Sequence, residues 1–401
     1  MGAGKGGPGL LDSSRLEELR TILEELGLDG WLLADFHHQN PVAASVLGVS
    51  GPTRRHFVLL PRRGEPLALV HSIDRGLWEA WPWAVVEYRG WKELAPRLSE
   101  LLEGRRFAME FSPEGNLPAL DRVPAGTVEL LRGLGIEPVT SADLVTQVHA
   151  RWSGEQLQAH RETAEVAARV AREAFEWAAR AVGRGAPVRE GALAEWILAR
   201  LTELGLSVDT GCVVAAGPSA SDPHYAPRGG GNPIGEGSLL LIDLWGKPSS
   251  EDVPADQTWM GYLGASLPRR TREVWEAVRD AREEALDFLR RRWNEGREVR
   301  GFEVDDVCRS LLEERGFGRY FLHRTGHSMD RQLHGSGPNL DNVETHDDRR
   351  LVPGVGFSVE PGVYIPGELG IRSEVNVHWG AQGPEVTTPH PQDQVFLLLE
   401  E

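Results

Sequence analysis

The stretch Leu239-Leu240-Leu241-Ile242-Asp243-Leu244-Trp245 places one carboxylate inside an otherwise apolar run. A run of this length and composition predicts a buried β-strand. Because side chains alternate across a strand, we expect Asp243 to share a face with Leu239 and Leu241. An ionised carboxylate in apolar surroundings is costly unless it is paired or binds a cation. Asp243 is therefore a candidate ligand, and a strand-end aspartate that caps a turn is the alternative.

A second aspartate follows at a distance that suits a hairpin. Asp256 lies thirteen residues after Asp243, and residues 246–254 between them are turn-like. Two antiparallel strands would bring the two carboxylates together. Like charges held close repel strongly unless a cation lies between them. The pair therefore predicts a cation site, whereas either aspartate alone also fits the turn-capping alternative.

A second hairpin near the C-terminus repeats this pattern. Residues Phe357 to Tyr364 predict one strand that carries Glu360. After a turn rich in proline and glycine, Ile371 to Val377 predict the return strand, on which Arg372 and Glu374 share a face. The hairpin therefore adds two carboxylates to the candidate set. A glutamate–arginine pair on an exposed strand is the alternative.

Four histidines complete the polar candidates. His323, His327 and His334 follow one another at intervals of four and seven residues. An isolated histidine is more often a satisfied polar residue than a ligand, but three at this spacing, beside two carboxylate pairs, favour a metal or proton-transfer site. His224 lies in a turn-rich loop, where a solvated loop histidine is the alternative.

The candidate ligands combine four carboxylates with one histidine. This set is too acidic for a structural zinc site and suits two carboxylate-bridged divalent cations such as Mn²⁺, Co²⁺, Fe²⁺ or Zn²⁺. Two such cations about 3.5–4 Å apart lower the pKa of a bridging water and neutralise a tetrahedral intermediate. The predicted reaction class is metal-assisted hydrolysis. The familiar phosphate-loop, dinucleotide, zinc-protease and serine-hydrolase motifs are absent.

The rest of the chain predicts two structural regions. N-terminal to these motifs, strands alternate with helices and predict an α/β domain that ends near residue 145. The predicted strands there are 31–33, 57–60, 67–70 and 107–110, and the predicted helices are 16–26, 91–102 and parts of 119–134. The remainder predicts an α+β domain. Its predicted helices are 157–182, which follows a capping box at Ser153 and Gln156, 192–204, 270–293 and 304–314.

Composition and charge exclude several classes of protein. The 401 residues carry a net charge of −17, so we expect no nucleic-acid partner. No run of about 18 apolar residues occurs, which argues against a membrane partner, and the glycine-rich start lacks the apolar core of a secretory signal. Cys212 and Cys308 are too few for a disulfide framework. We therefore expect a cytoplasmic protein.

In order and in flanking sequence, these motifs resemble the pita-bread metallopeptidases, which include aminopeptidase P, prolidase and methionine aminopeptidase. The matching segments are Leu241-Ile242-Asp243, Asp256-Gln257-Thr258-Trp259, Thr325-Gly326-His327-Ser328, Val359-Glu360-Pro361-Gly362-Val363-Tyr364 and Gly370-Ile371-Arg372-Ser373-Glu374. The resemblance implies an α/β N-terminal creatinase-like domain at residues 10–148 and an α+β C-terminal pita-bread catalytic domain at 149–401. It also implies a peptide substrate, a homodimer, and two metal ions, with Mn²⁺ or Co²⁺ favoured over Zn²⁺ or Fe²⁺.

The resemblance assigns the ligands residue by residue. Asp243 would hold one metal ion, and Asp256 would bridge the two ions. His327 and Glu360 would complete the shell of the other ion. Glu374 would be the second bridge.

It also assigns residues that act on the substrate. Glu360 would accept a proton from the attacking water. His334 would hold the scissile carbonyl or its oxyanion. His224 would contact the substrate near the metal ions, and His323 and Arg372 would support the ligands or contact the substrate.

Three functions are consistent with this resemblance. The first is cleavage of the bond between an N-terminal residue and proline, in dipeptides or in longer peptides. The second is a metal-free creatinase-like C–N hydrolase, and the third is a non-catalytic peptide-binding module of the same fold. Members of the latter two kinds lack a complete ligand set, whereas all five positions are filled here. The sequence therefore favours the Xaa-Pro peptidase.

Overall fold

The computed structural model of the chain describes residues 11, 13–49, 51–102, 104–208, 211–227 and 229–399. Contacts divide the chain into two compact units, with the boundary between His149 and Ala150. Within the described residues, no helix combines the length and the apolar character needed to cross a bilayer.

The N-terminal unit is built on a mixed sheet of six strands. The strands are β1 Gly30–Asp35, β2 His56–Pro61, β3 Leu67–His71, β4 Ala84–Tyr88, β5 Arg106–Met109 and β6 Glu137–Thr140. They lie in the order β4-β3-β2-β1-β5-β6. The helices are α1 Ser13–Glu25, α2 Pro41–Leu47, α3 Trp91–Leu101, α4 Ala125–Gly133 and the short α5 Ala142–Leu144. Because side chains alternate along β1, Trp31 and Leu33 pack with α1 and α2, and Leu32 and Ala34 pack with α3 and α4. The predicted α/β class is confirmed.

The strands at the two edges of this sheet were not predicted from the sequence. β4 and β6 are only partly buried, so they lack the strong apolar signal of the central strands. The predicted strands 57–60 and 67–70 are confirmed as β2 and β3, which pair antiparallel through a turn in which Gly64 has φ 95°.

The C-terminal unit combines helices with antiparallel strands, which confirms the predicted α+β class. The helices are α6 Gly154–Gly183, α7 Glu190–Glu203, α8 Arg269–Asn294 and α9 Gly301–Glu314. The strands are β7 Val213–Ala216, β8 Leu239–Gly246, β9 Ala255–Tyr262, β10 Ser328–Met329, β11 Gly356–Val359, β12 Gly362–Ile365, β13 Leu369–Arg372, β14 Val375–Gly380, β15 Gly383–Val386 and β16 Phe396–Leu397. They form ladders in the orders β16-β9-β8-β7, β10-β11-β14-β15 and β12-β13. The predicted capping box of α6 is confirmed, with Ser153 and Gln156 bonded reciprocally.

Helices cover both faces of β8 and fix the direction of its carboxylate. Leu240, Ile242 and Leu244 belong to the core that contains α6 and α7. Leu239 and Leu241 belong to the core that contains α8 and α9. The carboxylate of β8 therefore leaves the strand on the α8–α9 side, as the alternation predicts.

The second predicted hairpin is wrong in one respect. Each of its two arms, predicted as one continuous strand, is divided. The first arm breaks after Val359, at Glu360 and Pro361, and the second breaks after Arg372, at Ser373 and Glu374. Proline lacks the N–H that a ladder requires, so the pairing cannot continue through the first break. The outer halves pair as β12 with β13, and the inner halves pair as β11 with β14.

Candidate metal centre

Strands β8 and β9 bring the two aspartates together. They pair antiparallel, with Asp243 opposite Thr258 and Trp245 opposite Asp256. Residues directly opposite and two positions along share one face, so both carboxylates point the same way. Asp243 is 8% exposed and Asp256 is 5% exposed. The turn-capping alternative is therefore excluded, because neither aspartate is in the turn and both are buried.

The two glutamates lie at the breaks of the second hairpin. Glu360 is held by its own N–H, which donates to the Thr325 carbonyl at 2.7 Å. The other break is closed by Ser373 N–H, which donates to the Pro361 carbonyl at 3.2 Å. Glu374 is 4% exposed, which excludes the exposed-strand alternative. Because neither glutamate follows a regular ladder, both side chains can turn toward the aspartates.

His327 completes the group from a third segment. Its Nε2 lies 3.3 Å from Asp256 Oδ2 and 3.4 Å from Glu360 Oε1. Its Nδ1 lies 3.2 Å from the Ser328 carbonyl, which can only accept, so Nδ1 carries the hydrogen and Nε2 keeps its lone pair. Burial lowers the pKa of His327. The neutral imidazole therefore keeps a nitrogen lone pair that can bind a metal ion beside the carboxylates.

A glycine permits the close approach of the histidine segment. A Cβ on Gly326 would lie 1.9 Å from the Ser358 carbonyl oxygen. Next to it, Ser358 donates its N–H to the His327 carbonyl at 2.9 Å. A side chain at position 326 would push His327 away from β11. Glycine is thus needed at this position for packing.

The carboxylates retain oxygens without hydrogen bonds. Asp243 Oδ1, Asp256 Oδ1 and Glu374 Oε1 are buried and have no partner among the described residues. Burial raises the pKa of all three groups, and the Asp243 charge raises that of Asp256 further. Converging acceptors repel unless a cation lies among them. Ligand atoms of Asp256, His327 and Glu374 all lie within 4.8 Å of one another, so the donor set fits a divalent cation.

Arg372 compensates part of the negative charge. Its guanidinium is buried, pairs with Asp243, and donates to Thr258 Oγ1 at 2.8 Å and to Tyr364 Oη at 3.3 Å. Thr258 in turn donates to Glu374 Oε2 at 2.7 Å. From the resemblance, Arg372 was expected to support the ligands or to contact the substrate. The structure connects it to Glu374 through Thr258 and places it directly against Asp243.

Glu360 differs electrostatically from the other three carboxylates. Burial acts to raise its pKa, but neighbouring positive charge, including that of Arg372 and Arg324, outweighs burial, and the net shift is downward. Ser358 Oγ lies 3.0 Å from Glu360 Oε1. Among the four carboxylates, Glu360 is thus the one that its surroundings favour as an ionised proton acceptor.

The remaining predicted residues lie on the wall of one cavity. This cavity, of about 480 Å³, is lined by all of the sequence-predicted site residues: His224, Asp243, Asp256, His323, His327, His334, Glu360, Arg372 and Glu374. The His334 ring stands edge-on to the His327 ring, with 4.4 Å between centroids. Desolvation, with repulsion from His327 and Arg324, lowers the pKa of His334 to about 4. His334 is therefore neutral at pH 7 and can donate an N–H without carrying charge.

His323 is fixed by two hydrogen bonds. Its Nδ1 lies 2.7 Å from the Arg324 carbonyl and therefore donates, while Nε2 accepts from Tyr364 Oη at 2.8 Å. His224 is exposed at the cavity, and its backbone N–H donates to Asp222 Oδ1 at 3.0 Å. The loop is thus ordered by local hydrogen bonds, although the histidine itself faces solvent.

The cavity also contains residues that the sequence analysis did not single out. Arg324 pairs with Glu344 at 3.6 Å, and both side chains line the wall. The apolar part of the wall is formed by Val213, Pro223, Trp245, Leu322 and Leu333. Arg324 directly follows the predicted His323, but this position in the sequence does not indicate which way the Arg324 side chain points.

A buried aspartate shapes the loop that carries His334. Asp330 is 2% exposed, and its carboxylate accepts Gln332 N–H at 2.8 Å and Ser336 N–H at 2.7 Å. The sequence places this extra charge near the site, and the structure uses it to close the turn around His334.

A two-unit fold with a buried carboxylate–histidine cluster defines a protein of the metallohydrolase class. Residues 158–379, more than half of the chain, match the model of metallopeptidase family M24. The chain belongs to this family.

Similar proteins carry dipeptidase names. A Xaa-Pro dipeptidase of Lactobacillus delbrueckii subsp. lactis is 32% identical over 168 residues, which cover 42% of this chain and 41% of that protein. A protein of Mycobacterium bovis named as a probable dipeptidase PepE is 28% identical over 272 residues, covering 65% of this chain and 62% of its own length. The matches thus span about two fifths to three fifths of these relatives.

The fold extends over nearly the whole chain. The crystal structure of dipeptidase PepE from Mycobacterium ulcerans superposes with a TM-score of 0.77 at 22% identity, covering 96% of this chain and 97% of that one. This likeness concerns the fold. Together with the family match it confirms the predicted pita-bread architecture.

Proposed function

We propose that the protein is a metallopeptidase that hydrolyses Xaa-Pro dipeptides with two divalent cations. The observation that carries this proposal is a buried cluster in which ligand atoms of Asp256, His327 and Glu374 lie within 4.8 Å of one another, while each of the two carboxylates keeps an oxygen without a described hydrogen-bond partner. Family membership and the names of the similar proteins support the same reaction class.

The proposed ligands divide between two ions. Asp243 would hold one ion and Asp256 and Glu374 would bridge both, while His327 and Glu360 would complete the other shell. The oxygen-rich set favours Mn²⁺ or Co²⁺, with Zn²⁺ and Fe²⁺ as alternatives. When bound, such ions acidify a water and neutralise charge that develops on the peptide carbonyl.

The side chains of the cavity would perform the remaining steps. Glu360, held ionised by its neighbours, accepts the proton of the attacking water and passes it to the leaving nitrogen. The neutral imidazole of His334 donates a hydrogen bond to the oxygen of the scissile carbonyl. His224 contacts the substrate from the facing loop. Arg372 orients Asp243 directly and Glu374 through Thr258, and His323 supports Arg372 through Tyr364.

Arg324 favours dipeptides over longer peptides. The guanidinium of Arg372 is consumed by buried hydrogen bonds, whereas that of Arg324 makes a loose ion pair and no hydrogen bond to a described residue. An arginine with free N–H groups binds a carboxylate well. A dipeptide places its free carboxylate one residue beyond the scissile bond. The apolar wall around Trp245, Leu322 and Leu333 suits the ring of proline, which has no N–H to satisfy.

The test compares peptides that differ at their C-terminal end. After reconstitution with Mn²⁺ or Co²⁺, we expect hydrolysis of Leu-Pro, weaker hydrolysis of Leu-Pro-amide and of Leu-Pro-Leu, and little of Met-Ala. Arg324→Gln should raise KM for Leu-Pro by about 10–100-fold and leave the amide unchanged. Glu344→Gln is the matched control, because it removes the competing anion and should not raise KM for Leu-Pro. Equal losses on acid and amide would assign Arg324 a structural role.

The same assay separates the other functions. Turnover that survives exhaustive chelation would favour the metal-free C–N hydrolase, and binding without turnover would favour the peptide-binding module. Three further statements stay predictions: that residues 149–401 form the catalytic domain, that the protein is a homodimer, and that it is cytoplasmic. Light scattering of the purified chain tests the dimer.

A further inference from the structure

A fully buried cation lies behind the metal cavity. Arg282 of α8 is 0% exposed and is not part of the cavity wall. Removing a guanidinium from water is energetically costly unless its N–H groups are bonded. Its acidic partner is Glu283, whose carboxylate accepts from Nε at 2.9 Å but is 42% exposed. This pair occupies Nε and Nη2 and leaves Nη1 for other acceptors.

The Nη1 group bonds the segment that carries a proposed bridging ligand. It donates to Ser373 Oγ at 2.7 Å. Ser373 stands between Arg372 and Glu374, in the break between β13 and β14. Its neighbours line the cavity on one side, while Ser373 faces α8 on the other. The hydrogen bond from Arg282 therefore fixes, from behind, the direction in which Glu374 points.

The same nitrogen also reaches strand β9. It donates to the Gln392 carbonyl at 3.0 Å. The Gln392 side chain accepts Met260 N–H at 2.9 Å and donates to the Met260 carbonyl at 2.6 Å. Met260 lies four residues after Asp256 on β9. One guanidinium nitrogen thus joins the strand that carries Asp256 to the segment that carries Glu374.

We infer that Arg282 is a positioning residue for the metal centre. Its hydrogen bonds hold Asp256 and Glu374 at the separation that two bridging ligands require. This inference rests on the proposed metal site and goes beyond its ligand set. Loss of a residue that orients ligands typically costs 10–100-fold in metal affinity. Because Arg282 acts through Ser373 and Gln392, we expect a loss of metal affinity at the lower end of this range, about 10-fold.

The experiment measures Mn²⁺ affinity rather than activity. In the full chain, Kd is determined by chelator competition at a temperature where circular dichroism reports complete folding. Arg282→Met should weaken binding about 10-fold, and Ser373→Ala should weaken it by a smaller factor. The double variant should bind no more weakly than Arg282→Met, because both substitutions break the same hydrogen bond. With saturating Co²⁺, the visible absorption bands of Arg282→Met should differ from those of the wild type.

The control separates positioning from general stability. Asn40→Ala removes a fully buried hydrogen-bonding group from the N-terminal unit and should lower the melting temperature without changing the Mn²⁺ Kd. Wild-type affinity in both Arg282→Met and Ser373→Ala would overturn the inference, as would an equal loss in Asn40→Ala.

Further outcomes keep the two proposals apart. If Arg282→Met does not fold, Arg282→Lys replaces it; the lysine keeps the charge but not the fork, and its Kd should rise with that of Ser373→Ala. A wild-type chain that binds no Mn²⁺ would overturn the metal site and this inference together. A wild-type chain that binds Mn²⁺ but does not cleave Leu-Pro would overturn the substrate alone, and the affinities would still decide the role of Arg282.

Discussion

The N-terminal unit and the metal centre of the C-terminal unit both bury carboxylates, but the hydrogen bonds of these carboxylates differ. In the N-terminal unit Glu110 is 0% exposed, and its oxygens accept from Trp31 Nε1 and from Asn40 Nδ2, both at 2.6 Å. In the C-terminal unit Asp256 and Glu374 each keep one oxygen without a described partner. Burial raises the pKa of all three groups. A buried acid with a raised pKa does not by itself indicate a metal site. A buried carboxylate oxygen without a hydrogen-bond donor does.

The C-terminal unit contains both kinds of acid. Asp347 is fully buried, and its carboxylate accepts from Arg349 and from Asn339 N–H. Asp305 is fully buried and accepts from Arg309 and from Thr325 N–H. These acids hold the loops before and after His327, and their hydrogen bonds are complete. The contrast therefore follows the role of the residue and not the unit in which it lies.

The largest expected effect comes from the acids with free oxygens. Asp256→Asn and Glu374→Gln keep the side-chain shape but remove charge where a cation would bind. We expect each to lower Leu-Pro turnover by more than about 10³-fold and to weaken Mn²⁺ binding. The metal-free protein should be equally or more stable, because a buried unpaired charge is gone. If both variants kept the wild-type rate and the wild-type metal content, the contrast between acids with and without complete hydrogen bonds would have no functional meaning.

His334 tests a cavity residue that binds no metal in the proposal. His334→Ala should lower kcat by about 10²–10³-fold with metal content unchanged, as expected for loss of one donor to the carbonyl oxygen. Steady-state kinetics with metal analysis checks this. An increase in KM alone would make His334 a residue that positions the substrate.

His160 tests a buried group whose hydrogen bonds are complete. Its ring nitrogens contact the Pro254 carbonyl at 2.9 Å and Thr387 Oγ1 at 2.7 Å, and burial lowers its pKa to about 4. Its ordinary pKa is about 6.5, so the unfolded chain gains a proton first as the pH falls. Stability from this group is complete above pH 6.5 and is lost as the pH falls toward 4, by about 3 kcal/mol.

Urea unfolding at a series of pH values checks the His160 prediction. Because other buried histidines also titrate in this range, the relevant quantity is the difference between the wild type and His160→Gln. The wild type should lose about 3 kcal/mol more than the variant between pH 6.5 and 4. Parallel pH profiles would contradict the assignment.

The smallest effect is expected at Glu110. Glu110→Gln leaves one of the donors Trp31 and Asn40 without an acceptor and should destabilise the protein by about 2 kcal/mol. Mn²⁺ affinity should not change. A loss of affinity equal to that of Glu374→Gln would remove the distinction between satisfied and unsatisfied acids.

The sequence predicted much of the site because its signals are local. The apolar run around Asp243 and the spacing to Asp256 follow from strand alternation within one hairpin. Pro361 marks the break that places Glu360, and its missing N–H could have been recognised in the sequence. The edge strands β4 and β6 were missed because partial burial weakens their pattern.

The contacts that connect these pieces were not predictable from one sequence. Arg372 bonds Thr258 across 114 residues, and Arg282 bonds Ser373 across 91. A buried arginine inside a charge-rich helix gives the same local pattern as an exposed one. The direction of Arg324 likewise depends on where the cavity lies. Such residues are found only once the tertiary arrangement is known.

The antiparallel ladder between β8 and β9 has a practical consequence. The last pair is Gly246 with Ala255, so the spacing of the two aspartates is set before the connecting segment begins. Extra length at the exposed residues 248–250 is therefore tolerable to the cluster. A short epitope or a fluorophore attachment site spliced there would mark the molecule while leaving its chemistry alone.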